Sequence, residues 1–171
     1  MNAASAEPAV HIRTAELEDV SDVVRILSDG AKRMRSLGES TPWPDPFPRD
    51  RIEPYLAAKC VFLATLEDLG PIGTFMVTWD DDPYWELPLE AAGYLHRMVV
   101  LRRHSGQRIS AQIFRWVFGH VRARGRHYVR LDCLEDAEPL RRYYESFGFR
   151  YVRSVVVRGF SLALYECHLS D

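Results

Sequence analysis

No apolar run in these 171 residues approaches the roughly 20 residues that a membrane-spanning helix needs. The opening stretch, Met1 to Pro8, lacks a basic leader and an apolar segment, so no secretory signal is read there. A short flexible tail over residues 1–9 and a cytoplasmic protein are the expectations. Cysteine is scarce: Cys60, Cys133 and Cys167 are odd in number, widely spaced and not arranged as metal ligands. That argues against a disulfide framework and against a structural metal site. Internal repeats and low-complexity segments are also missing, which excludes solenoids and disordered arrays.

What is present suits one globular domain over residues 10–171. Hydrophobic residues make up 47% of the chain, with eight Phe, eight Tyr and four Trp to build a core. The net charge of −2 hides an uneven distribution. Residues 1–100 hold 9 Lys and Arg against 17 Asp and Glu, a balance of −8. Residues 101–171 hold 13 Arg against 7 Asp and Glu, a balance of +6. A phosphate-bearing ligand favours the second region and a cationic one the first.

Periodicity gives the order β-α-α-β-β-β-α-β-α-β-β. Val10 to Arg13 reads as a strand. A helix follows with Thr14 as candidate cap and Leu17, Val20, Val23, Val24 and Leu27 at helical spacing. Gly30 and Gly38 bracket an extension of it. Four prolines between Thr41 and Pro48 stiffen a loop around Trp43 and Phe47. A second helix is expected from Arg49 to Lys59. Cys60–Leu66 and Pro71–Trp79 form a hairpin, and an acidic, aromatic loop leads to a central strand over Gly93–Leu101. A helix from Ile109 to Gly125, a strand over His127–Cys133 and a helix over Pro139–Phe147 come next. Phe149–Val157 and Phe160–Leu169 close the chain as a hairpin. The fold class is α/β (α+β): a mixed, mostly antiparallel central sheet of about seven strands with helices on both faces.

The chemistry gathers between Gly93 and Val152. An apolar strand ends at Val100, and the loop Arg103-His104-Ser105-Gly106-Gln107-Arg108 leads into the helix that opens with Ile109 and Ser110. A strand, a basic turn with glycine and a helix start form a phosphate cradle, because first-turn N–H groups lack partners and carry the positive dipole end. These features, with the later Tyr144-Glu145-Ser146-Phe147-Gly148-Phe149, resemble the Gcn5-related N-acetyltransferase (GNAT) superfamily over about Val10 to His168. In that family the loop reads Gln/Arg-x-x-Gly-x-Gly/Ala and its amides hold the pyrophosphate of coenzyme A. Here Arg108 and Ser110 stand where small residues are usual.

The resemblance implies acetyl transfer from acetyl-CoA, as co-substrate, to a primary amine by direct attack in a ternary complex, with no protein nucleophile and no metal. Met98, Val99 and Val100, the loop residues Arg103 to Arg108, Ile109, Ser110 and Tyr143 are then expected at the coenzyme. Tyr144 matches the family's general acid to the leaving thiolate. His96 is the first candidate base: alternation places it on one face with Met98 and Val100, an imidazole titrates near neutrality, and the strand is similar to that of arylalkylamine N-acetyltransferases. Glu86 is the second candidate. Trp43, Phe47, Trp79, Tyr84 and Trp85, with Asp80, Asp81 and Asp82 nearby, suggest a site for a cationic or aromatic small amine. The resemblance leaves other readings open: a carrier-protein phosphopantetheine or an acyl-tRNA as donor, or a non-catalytic ligand-binding protein. It also admits a homodimer.

Overall fold

Runs rich in Val, Ile, Leu and Phe form seven strands. A computed structural model describes residues 8–38, 41–67, 69–79, 84–85 and 91–170. The strands are β1 His11–Thr14, β2 Val61–Leu66, β3 Gly70–Thr78, β4 Ala92–Val100, β5 Tyr128–Leu134, β6 Arg150–Val157 and β7 Phe160–His168. They make one sheet in the order β1-β2-β3-β4-β5-β7-β6, antiparallel at every pair except β4 with β5. The expected fold class and order of strands and helices are present, with most boundaries shifted by one to three residues.

Helices α1 Val20–Ser36 and α2 Glu53–Ala57 cover one face, and α3 Ile109–Arg122 and α4 Glu138–Glu145 the other. In α1 the residues Val20, Val23, Ile26, Leu27 and Ala31 recur at helical spacing and are buried. In α3 the buried stripe is Ile109, Ile113, Phe114, Val117 and Val121. Trp116 packs against the same core from the edge of this stripe. No described helix is long and apolar enough to cross a membrane.

Two local expectations are corrected. Thr14 does not cap α1; it pairs with Phe62 in the sheet. The chain instead makes a short 3-10 turn, Leu17–Asp19, where the Asp19 carboxylate accepts the Glu16 backbone N–H at 2.8 Å. The second helix shrinks to Glu53–Ala57 behind a 3-10 turn at Arg49–Arg51. The extension bracketed by Gly30 and Gly38 is present: α1 runs through Gly30 to Ser36. A Cβ at Gly30 would lie 2.9 Å from Val99 Cγ2, so the missing side chain lets α1 approach β4.

The same close fit recurs at Gly93, where a Cβ would sit 2.6 Å from Val121 Cγ2 of α3 and 3.2 Å from the Trp79 ring. Valine is stiff at χ1 and cannot swing away. We expect Gly93→Ala to lower unfolding free energy by about 1–3 kcal/mol, the usual cost of overpacking. Urea denaturation measures it, and an unchanged midpoint would show that α3 and β4 are not in tight contact there.

Candidate active site

Only three residue pairs join β4 to β5: Ala92 with Tyr128, Gly93 with Val129 and Tyr94 with Arg130. Beyond them β4 continues to Val100 along β3, and β5 continues to Leu134 along β7. The two central strands therefore diverge like a wedge. Its apex is pinned by Arg130, which is 5% exposed. Arg130 Nε donates to Glu166 Oε2 at 2.6 Å and Nη1 to the Tyr94 hydroxyl at 3.1 Å, while the guanidinium lies 4.7 Å from the Trp85 ring centroid. These partners offset the cost of burying the charge.

A cavity of about 840 Å³ occupies the wedge, with Leu95 to Val100 along one wall and Leu131 to Leu134 along the other. A β-bulge shapes the first wall. Thr74 pairs with Val99 and Met76 with His96, so Phe75 faces two residues, Arg97 and Met98. Arg97 takes a left-handed backbone, φ +50°. The extra residue reverses the alternation. Met98 and Val100 pack on the α3 side with Phe75, whereas Val99 packs on the α1 side with Met76, the partner of His96. The expectation that His96, Met98 and Val100 share a face is thus overturned by one inserted residue.

From Val100 the chain turns through a 3-10 segment, Arg102–His104, into α3. Gly106 and Arg108 both have left-handed backbones, at φ +81° and +57°. Arg108 stands at the N-cap, and no side chain caps the helix. The N–H groups of the first turn, at Ile109, Ser110 and Ala111, have no acceptor within the helix. The family's small residue at Arg108 has a physical basis, since this conformation is unfavourable for any residue with a Cβ. This chain retains the conformation with an arginine in it. His104 is buried at 6% exposure; its Nε2 accepts Arg103 Nε at 3.1 Å, and its Nδ1 is buried without a partner.

On the α4 side, Tyr144 lines the cavity and is 8% exposed. Its ring packs on Phe114, Phe149 and Tyr165, with centroids 6.1, 6.0 and 6.2 Å away. Burial pushes the phenol pKa well up, and Cys133 and Asp132 add to it. Burial likewise raises the Cys133 thiol to about 12, helped by Asp132. Neither group ionises at neutral pH.

The opposite end of the cavity is built from the proline loop. Trp43 and Phe47 meet edge to face, centroids 6.1 Å apart. The loop is fastened to α1: Phe47 N–H donates to Ser28 Oγ at 2.9 Å, and Arg35 donates to the Trp43 carbonyl. His96 Nε2 lies 3.2 Å from Thr78 Oγ1. Burial, and secondarily the adjacent Arg97, lowers the imidazole pKa to about 4. His96 is therefore neutral near pH 7 and a weak base, not the neutral-pH titrating group that its residue type predicts.

The acetyltransferase (GNAT) family model matches residues 29–149. The chain belongs to the GNAT family. It is 31% identical over 74 residues to the uncharacterized N-acetyltransferase YesJ of Bacillus subtilis, a match covering 43% of this chain and 38% of YesJ. The chain thus aligns with well under half of that relative. A GNAT-family acetyltransferase from Listeria monocytogenes is 27% identical, with a TM-score of 0.76 over 94% of this chain and 95% of the other. YncA of Salmonella typhimurium, whose structure contains its cofactor acetyl-CoA, shares the fold: TM-score 0.70, 15% identity, 95% of each chain covered.

Seen as a GNAT domain, the wedge gathers many of the residues singled out in the sequence. Met98, Val99, Val100, His96, Tyr144, Trp43, Phe47 and Tyr84 all line the cavity. Arg103 to Arg108 form the turn into α3, and Ile109 and Ser110 open that helix. Tyr143 is half-exposed on α4, its ring 5.0 Å from that of Phe147. Two tryptophans lie elsewhere. Trp79 packs outside the wedge, under Arg124 at 4.2 Å and beside His120 at 5.5 Å. Trp85 is consumed by the apex, against Tyr94 and Arg130. Glu86, Asp80, Asp81 and Asp82 lie outside the described residues. Sequence reasoning missed Arg97, Tyr55, Thr78 and Gly30, all on the cavity wall. Gly30 carried a signal, a glycine inside a helical pattern. Arg97 carried none.

Because the folded imidazole of His96 titrates near 4 and an unfolded one near 6.5, the unfolded chain takes up the proton first. The associated stability is complete above about pH 6.5 and disappears as the pH falls toward 4, up to about 3 kcal/mol in all. We expect His96→Gln to flatten the stability profile across that window. A difference between the two proteins that does not change from pH 7 to pH 4 would contradict the low pKa.

Proposed function

We propose that this protein is an N-acetyltransferase that passes the acetyl group of acetyl-CoA to the primary amine of a small molecule by direct attack in a ternary complex. One observation carries this reading: a single cavity joins the bulged edge of β4, the buried Tyr144 and an aromatic end at Trp43 and Phe47. The start of α3 suits the pyrophosphate of acetyl-CoA, since it has uncapped amides, a helix dipole and two left-handed residues that open the turn. Arg103 and Arg108 supply positive charge there. The donor brings an activated acyl carbon and a good leaving group, and the chain's residues do the rest.

Backbone groups of Met98 to Val100 on the wedge side hold the pantetheine arm and donate to the acyl oxygen, which stabilises charge developing there. Holding amine and acyl carbon in one cavity removes much of the entropic barrier. Tyr144 keeps its proton at working pH and gives it to the departing sulfur. Cys133 stays a thiol, which favours attack by the amine itself over a covalent protein intermediate. His96, neutral and beside Thr78, accepts a hydrogen bond from the attacking nitrogen and orients it; the proton passes on to water.

Isothermal titration should detect acetyl-CoA binding. Tyr144→Phe should lower kcat by about 10²-fold, the low end for general acid catalysis, while leaving the dissociation constant for acetyl-CoA unchanged. Undiminished kcat would remove Tyr144 from proton transfer. Absence of binding at millimolar acetyl-CoA would remove the whole reading.

A further inference from the structure

The charges at the aromatic end of the cavity are not those that suit a purely cationic amine. Among the described residues the cavity wall carries Arg33, Arg51, Arg97 and Arg158, against Asp29 and Asp132. Arg33 and Arg51 are exposed, whereas Arg97 is half-buried. The Arg97 guanidinium lies over the rings of Phe47, 5.3 Å away, and Tyr55, 5.5 Å away. Its one hydrogen bond among the described residues is to a thioether, Nη1 to Met76 Sδ at 3.6 Å, and no described carboxylate pairs with it. A thioether is a weak acceptor, so most of five N–H donors are left for something else. Burial acts against the charge most strongly, Tyr55 partly opposes that, and the nearby Arg51 adds a smaller effect against it. Arg97 also occupies the left-handed bulge position. Two costs therefore fall on one residue: a half-buried charge that no described carboxylate pairs with, and a strained backbone.

Both costs are recovered if an anion enters the cavity. A guanidinium held flat against two aromatic faces presents its fork to a carboxylate or a phosphorus or sulfur oxyanion. The pyrophosphate of acetyl-CoA is not that anion, because its place is at the start of α3, and Arg97 reaches to the α1 side against Phe47. We propose that Arg97 anchors an acid group on the acceptor. The substrate is then a small amine that also bears a carboxylate, phosphinate, phosphonate or sulfonate, an α-amino acid being the simplest form. This rests on the acetyl-transfer reading above and narrows it.

The test uses acceptors in matched pairs: amino acids with their decarboxylated amines and amides, and aminoalkyl phosphinates, phosphonates and sulfonates with amines of the same length. Thioester consumption gives kcat/KM for each. The acid-bearing member should be preferred by about 10²-fold, as expected when one partner of a desolvated charge pair is removed. The preference should collapse in Arg97→Met and fall in Arg97→Lys, which keeps the charge but not the fork. Comparing carboxylates with the other oxyanions identifies the acid. Arg97→Met should also raise the melting temperature, since it removes a half-buried charge that no described carboxylate pairs with; Arg97→Lys preserves the test if the Met variant fails to fold. A preference for the amines without an acid group, or an acid preference that survives in both variants, overturns the proposal. Where no acceptor is turned over, calorimetric binding of the same acids decides: binding lost in the Arg97 variants supports the site, and binding that is absent or unaffected refutes it. Acetyl-CoA titration is read separately, so failure of the donor is distinguishable from failure of the acid site.

Discussion

Two neighbouring strands in the middle of a sheet can separate only if each keeps a partner on its outer side. Buried backbone N–H and C=O groups must be hydrogen-bonded. Here β3 satisfies the outer edge of β4, and β7 that of β5, through the whole length of the wedge. The inner edges are left to face the cavity. Divergence begins where pairing ends, at Tyr94 and Arg130, and the same two side chains are bonded to each other at 3.1 Å. Glu166 and the Trp85 ring complete that cluster. Losing Glu166 would strand a buried guanidinium, a costlier event than the loss of an exposed ion pair. The wedge therefore depends on an ion pair between β5 and β7, neither of whose members touches the cavity.

The wedge sets the shape of the cavity, and two of the left-handed arginines, Arg97 and Arg108, shape its surroundings. At Arg108 the turn into α3 takes a left-handed conformation despite the side chain, which makes it less favourable than it would be for glycine. At Arg97 the same conformation inverts the facing of everything after it on β4. Without that inversion Met98 and Val100 would turn away from the α3 side, and Val99 would lose its contact with Gly30. The bulge thus couples three things along one strand: the packing of α1, the apolar floor of the wedge and a cation at the aromatic end.

Elements set by local patterning were legible in the sequence. Helical spacing in Val20 to Leu27 and Ile109 to Val121, and the hairpin runs after Cys60 and Phe149, needed no tertiary information. The Tyr144 position and the basic turn followed from a motif that retains its order. What escaped was tertiary in origin. A bulge is a disagreement between two strands, so β4 read alone gives uninterrupted alternation and the wrong face for His96. Trp43 and Trp85 occur in similar aromatic loops, yet one lines the cavity and the other is spent on Arg130. Thr14 looks like a helix cap but is held by β2, and it is the Asp19 carboxylate that bonds the chain entering α1, at the Glu16 N–H. The pKa of His96 reflects enclosure by residues distant in sequence, which no residue type announces.

Net charge was the least reliable guide. Residues 1–100 sum to −8, yet three of their nine cations, Arg33, Arg51 and Arg97, converge on the cavity. The local field depends on which charges are close and dry, not on the total. His96 reports that field. Desolvation is the larger cause of its low pKa and Arg97 the smaller. An acceptor ammonium bound beside His96 would meet the same two effects, each favouring the neutral amine, which is the form that attacks. An acid group paired with Arg97 would cancel much of the repulsion and leave the desolvation in place. On the acetyl-transfer reading proposed above, such a cavity would supply a free amine without a strong protein base, and the weakness of His96 as a base would follow from the same environment.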